Sequence, residues 1–146
     1  MNERISILLV EDNPGDAELT SEILESSNLR PKISVAKDGI EAVDFLRNPL
    51  SPRPNLILLD LNLPRRNGQE VLNEIKSDAS LKQIPVIILT SSTSKSDILK
   101  SYDLGANCYL GKPVDLNGYY DIIRAVEGFW FKVVKLPNNH RNNSSS

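Results

Sequence analysis

Cysteine and histidine are nearly absent from this chain. One of each occurs among its 146 residues, Cys108 and His140. A lone cysteine cannot close an internal disulfide, and a metal centre of imidazole and thiolate ligands needs several such residues. A Ser-His-Asp or Cys-His hydrolase would have to recruit His140 from Asn138-Asn139-His140-Arg141-Asn142-Asn143-Ser144-Ser145-Ser146. That polar composition predicts a disordered tail over 138–146, a poor base for catalysis. Long apolar runs are also missing. None approaches the ~18 residues of a membrane span, and Met1-Asn2-Glu3-Arg4-Ile5 opens no secretory segment. A cytoplasmic protein with no membrane partner is expected. The formal net charge is -2, whereas domains that grip nucleic acid are clearly basic, so no nucleic-acid partner is expected either.

What is present is an alternation. The length suits one domain, expected over 1–137. Ile5-Ser6-Ile7-Leu8-Leu9-Val10 reads as a buried strand. Glu11-Asp12-Asn13-Pro14 then signals a helix start, with Leu19, Ile23 and Leu24 on one face. Lys32 to Ala36 is a second strand, followed by Asp38-Gly39 and a helix bearing Ala42, Val43 and Leu46. Leu56-Ile57-Leu58-Leu59 is almost wholly apolar, as suits a central parallel strand covered on both faces. Val71, Leu72 and Ile75 mark a third helix, and Pro85-Val86-Ile87-Ile88-Leu89 a fourth strand. Ile98, Leu99, Tyr102 and Leu104 mark a fourth helix closed by Gly105. Cys108-Tyr109-Leu110 is a short fifth strand, with Cys108 read as a small buried hydrophobe. A long fifth helix runs from about Asp115 past Trp130. The proline-rich stretch from Asn48 to Pro54 reads as a loop inside the domain. Five βα units predict an α/β fold with a doubly wound five-stranded parallel sheet of flavodoxin-like topology.

In open parallel sheets, ligands bind outside the carboxyl ends of the strands. Glu11 and Asp12 follow the first strand, Asp60 the third, Thr90 the fourth and Lys112 the fifth. One acid at a strand end is usually a helix cap or a solvated side chain. Four strands delivering polar groups to one edge is a different matter. Three carboxylates there repel one another, so the cluster calls for a cation. Oxygen ligands without nitrogen or sulfur suit Mg²⁺. A metal ion, the Lys112 ammonium and the Thr90 hydroxyl around one carboxylate suit phosphoryl transfer, because they neutralise charge on the transferred group. Asp60 is central by chain order, so it is the expected nucleophile and an aspartyl phosphate the product.

These residues, in this order on these strand ends, resemble the receiver domain of two-component response regulators. The resemblance covers roughly Ile5 to Val126, and Leu61-Asn62-Leu63-Pro64 with Gly68 matches the loop after the phosphorylated aspartate. It implies direct Mg²⁺ ligation by Asp12, Asp60 and the main-chain carbonyl of Asn62, with Glu11 acting mainly through water. It also implies that Thr90 and Tyr109 form a switch pair and that the Lys112-Pro113 peptide is cis. Such a protein takes its phosphoryl group from a sensor histidine kinase and is not a dedicated enzyme. Ser101-Tyr102-Asp103-Leu104-Gly105-Ala106-Asn107-Cys108-Tyr109-Leu110 and Phe129-Trp130-Phe131-Lys132-Val133-Val134-Lys135-Leu136-Pro137 resemble single-domain regulators paired with cyanobacterial phytochromes, which implies a phytochrome-type kinase. Two positions depart from the family: Glu11 where many receivers carry aspartate, and Ser91 where alanine is commonest.

The rival readings fit the residues less well. A phosphohydrolase of the haloacid dehalogenase type needs an aspartate two positions after the nucleophile, and Asn62 cannot do that acid-base work. A pseudo-receiver would have lost the acidic pair, the acceptor or the lysine. A flavodoxin-like cofactor binder would not place two acids where phosphate must sit. By its length, no DNA-binding output domain is expected. Lastly, Leu116, Tyr119, Ile123, Val126, Trp130 and Val133 form a helical stripe. Beyond Gly128 it would run past the core and expose aromatics, so a homodimer through the C-terminal helix is expected. Alternatives are a chain reversal at Gly128 or a kinase-docking surface.

Overall fold

The computed structural model describes residues 5–27 and 29–131. The expected tail and the last part of the expected C-terminal helix, including Val133 and His140, lie outside them. Strand β1 (Ser6–Val10) leads to α1 (Pro14–Glu25), β2 (Lys32–Ala36), α2 (Gly39–Arg47), β3 (Leu56–Leu59) and α3 (Gly68–Lys76). Then come β4 (Val86–Thr90), α4 (Lys95–Asp103), β5 (Cys108–Gly111) and α5 (Leu116–Val126). The strands form one parallel sheet in the order β2-β1-β3-β4-β5. This is the doubly wound arrangement expected from the alternation.

Period-two side-chain alternation sorts the core into two layers. Ile7 and Leu9 of β1, Leu56 and Leu58 of β3, and Ile87 and Leu89 of β4 pack with α1 and α5 through Ile23, Leu24, Tyr119, Ile123 and Val126. Their neighbours Leu8, Val10, Ile57, Leu59, Val86 and Ile88 face the other way, onto Ala42, Val71, Leu72 and Ile75 of α2 and α3. The helices start where side chains can take the free N–H groups of the first turn. Asn13 caps α1, Asp38 caps α2, Ser94 caps α4 and Asp115 caps α5. Asn67 and Glu70 form a reciprocal capping box on α3.

Two expectations are corrected. The peptide before Pro113 is trans, since no described peptide bond is cis. The preference between isomers at an X–Pro bond is only about 0.5–1 kcal/mol, so local sequence cannot fix it. Helix α4 forms where Ile98, Leu99 and Tyr102 marked it, with Leu99 64% and Tyr102 48% exposed and Ser101 the helix residue fully buried. Tyr102 uses its hydroxyl to accept the N–H of Tyr109, 3.1 Å away, on edge strand β5. The α5 stripe is broken at its start, where Leu116 is 65% exposed.

Helix α5 does not reverse at Gly128. It continues as a π-helical segment, Glu127–Phe131. Trp130, expected to be exposed, is half-buried and packs against the α1/α5 core layer, with Phe129 edge-on to it at 5.9 Å between ring centroids. The extra residue per turn of a π-helix rotates the following side chains relative to α-helical phase, and this accompanies the inward placement of Trp130. Phe129 remains 53% exposed. Among the described residues, no helix is long and apolar enough to cross a membrane.

The packing of α3 against the loop after β3 leaves no room for a side chain at Gly68. A Cβ there would overlap the carbonyl oxygen of Asp60 and the Cα of Leu61, both backbone atoms that cannot swing aside. Gly68→Ala should lower stability by about 2 kcal/mol or more, read as a drop in the urea midpoint. An unchanged midpoint would contradict this contact.

Candidate functional site

The last rungs of the sheet ladder pin the site residues in place. The N–H of Glu11 bonds Ala36 O at 2.9 Å, that of Asp60 bonds Val10 O at 3.0 Å, and that of Lys112 bonds Thr90 O at 2.8 Å. Each residue directly after a strand is therefore held as if the strand continued by one. Their side chains meet over the carboxyl edge. One carboxylate oxygen from each of Glu11, Asp12 and Asp60 lies within 4.8 Å of the others. Glu11 and Asp60 are buried and Asp12 is exposed.

Lys112 is the counter-charge. Its Nζ lies 2.7 Å from Glu11 Oε1, 2.9 Å from Asp60 Oδ2 and 2.9 Å from Asp16 Oδ2. Both oxygens of Asp60 have donors, because Oδ1 accepts the N–H of Asn62 at 3.1 Å. Glu11 Oε2 accepts the N–H of Asn13 at 3.1 Å, which ties the acid to the start of α1. Burial pushes the Glu11 carboxyl up to about 7 against the opposing Lys112 hydrogen bond, with the Asp60 charge adding to the rise. Burial alone would push Lys112 down. Its hydrogen bonds to Glu11, Asp16 and Asp60, and the Asp60 charge, outweigh that and hold it above the ordinary lysine range. The two directions agree physically: the ammonium is strongly held, and the acids are crowded.

Thr90 ends β4 fully buried, and its Oγ1 accepts the N–H of Ser92 at 3.4 Å. Tyr109 packs against the α2/α3 core layer and donates its hydroxyl to Ser92 O at 2.9 Å. Thus the proposed switch pair is joined through Ser92 in the loop after Thr90. Cys108 is half-buried against the other layer, where burial pushes its thiol up.

Glu11, Asp12, Asp60 and Lys112 thus converge as the sequence implied. Asp16 was missed. A signal existed: Asn13-Pro14 starts the helix, and Asp16 then falls in its first turn, four residues after Asp12. An acid there reads as ordinary complement to the helix dipole, so nothing in the pattern marked it as a partner of Lys112. Carboxylates outnumber the ammonium, and the donors are all oxygens. The set fits a hard divalent cation.

The model of the response regulator receiver domain matches residues 7–124. The chain belongs to that family. This receiver is 45% identical over 135 residues to response regulator Rcp1 of Synechocystis sp., covering 90% of this chain and 92% of that protein. The crystal structure of the Mn²⁺-bound form of Rcp1 superposes with a TM-score of 0.89 at 44% identity, over 92% of this receiver and 99% of that chain. The phosphorylated cyanobacterial phytochrome response regulator RcpA gives a TM-score of 0.90 at 44% identity, over 93% and 100% of the two chains. The receiver is thus a response regulator of two-component signalling, homologous to phytochrome response regulators.

Proposed function

We propose that this receiver accepts a phosphoryl group onto Asp60 from a sensor histidine kinase of the phytochrome type, in the cytoplasm and with Mg²⁺. The observation that carries this is the meeting of Glu11, Asp12 and Asp60 with Lys112 at one sheet edge. The phytochrome assignment rests on the relatives, one of which is described as a phosphorylated phytochrome response regulator. The choice of Mg²⁺ rests on the oxygen donor set, on the fold family and on an Mn²⁺-bound relative.

An oxygen of Asp60 attacks phosphorus in line with the departing imidazole of the donor histidine. The P–N bond breaks as the O–P bond forms. Lys112 donates to a phosphoryl oxygen, and the Thr90 hydroxyl donates to another after moving toward the site. The bound metal would supply charge neutralisation at the phosphoryl oxygens, held by Asp12, Asp60 and the main-chain carbonyl of Asn62, with Glu11 through water. Movement of Thr90 would carry Ser92 with it, and so disturb the Tyr109 hydroxyl bonded to Ser92 O. The reading is of a switch, not of a dedicated enzyme. Acetyl phosphate with Mg²⁺ should add one phosphoryl mass to the wild type and none to Asp60→Asn, and a chelator should abolish the addition. Labelling of Asp60→Asn at the wild-type level would move the acceptor elsewhere.

The receiver is further proposed to form a homodimer through the C-terminal helix. Leu116, Tyr120 and Phe129 support this, being 65%, 44% and 53% exposed on one continuous helical segment. Exposed apolar groups on the last helix are suited to self-pairing about a two-fold axis. Sedimentation at micromolar concentration should show a dimer for the wild type and a monomer for a chain ending at Glu127. A monomeric wild type, or a truncated form still fully dimeric, would reject it.

A further inference from the structure

An ammonium has three N–H donors, and all three of Lys112 are engaged by carboxylates. Two of the acceptors, Glu11 and Asp60, belong to the cluster that a divalent cation would occupy. The third, Asp16, does not. Its carboxylate is brought to Lys112 by the start of α1, where Asn13 Oδ1 accepts the Asp16 N–H at 3.0 Å and Pro14 is the first helical residue. The side chain of Lys112 is only 10% exposed, and that of Asp16 is 33% exposed.

A cation entering the cluster competes with Lys112 for Glu11 Oε1 and for Asp60. A nearly buried ammonium that loses a carboxylate and gains nothing is strongly disfavoured. Asp16 removes that penalty, because it is an acceptor the cation does not need. We propose that Asp16 is a positioning residue that holds the Lys112 ammonium while the cation takes Asp60 and, through water, Glu11, and so raises the affinity of the acidic cluster for divalent metal. The inference rests on the divalent-cation reading above. It extends that reading to a residue outside the ligand set.

A plainer role for Asp16 exists. As a carboxylate in the first turn of α1, it favours the helix dipole and adds negative field at the cluster. Those effects act without the lysine, whereas positioning acts only through it. The two are separated by a double-mutant cycle. Mg²⁺ alone, with no phosphoryl donor, is titrated calorimetrically into the full chain, into Asp16→Asn, into Lys112→Met and into the double variant. Loss of one charge-assisted hydrogen bond predicts about tenfold weaker binding in Asp16→Asn. In the Lys112→Met background the same change should cost at least about threefold less than that. Equal affinity of Asp16→Asn and wild type would overturn the proposal, and so would an identical loss in both backgrounds. Absence of Mg²⁺ binding to the wild type would overturn the cation reading itself and the positioning role with it.

Discussion

Carboxylates crowded at the edge of a parallel sheet repel one another, and the Lys112 ammonium is what lets them stay. It bridges Glu11, Asp60 and Asp16, three acids delivered by β1, β3 and α1, from a position just past β5. Without it, the buried Glu11 and Asp60 would face each other with no positive partner among the contacts seen, an arrangement that burial makes more costly. Burial, with the Asp60 charge adding to it, pushes Glu11 up to about 7 even with the lysine in place. The same crowding is the source of function. A site short of positive charge attracts a divalent cation, and a carboxylate flanked by cations is fitted to receive a phosphoryl group.

The fold supplies the precision. In the order β2-β1-β3-β4-β5, β1, β3 and β4 are neighbours, so Glu11, Asp60 and Thr90 emerge side by side. Each is fixed at its backbone before its side chain reaches out, by ladder bonds that run one residue past the strands. Gly68 brings α3 against the backbone of Asp60 and Leu61, which closes the loop that follows β3. The loop after β4 joins Thr90 to Tyr109 through Ser92, and so gives any motion at the site a route to β5.

The central strands were legible because burial on both faces demands unbroken apolar runs, and β3 begins and ends where such a run does. The acids and the lysine were legible because topology places the residue after each strand at one edge. Asp16 was not, since it lies 96 positions from Lys112 and its own turn gives it an ordinary reason to be acidic. The isomer before Pro113 was misjudged because a small local preference is decided by tertiary context. On α4, apolar residues marked the helix, but small Ser101 is its fully buried residue while Leu99 and Tyr102 stay exposed. Periodicity shows which residues share a face but not how closely that face approaches the sheet. At the end of α5 the register changes to π-helical, and a stripe counted at α-helical spacing no longer tells which way Trp130 points.

The central claim is that Asp60 is the reactive carboxylate and Lys112 its counter-charge, which turns from Glu11 to the phosphoryl group when one is present. A crystal structure with Mg²⁺ and beryllofluoride, which mimics a phosphoryl group on a carboxylate, tests both at once. The account predicts the adduct on Asp60, with Lys112 Nζ moved from Glu11 to a fluorine and the Thr90 hydroxyl on another. An adduct on a different side chain, or a Lys112 that keeps its bond to Glu11 with the adduct in place, would contradict it.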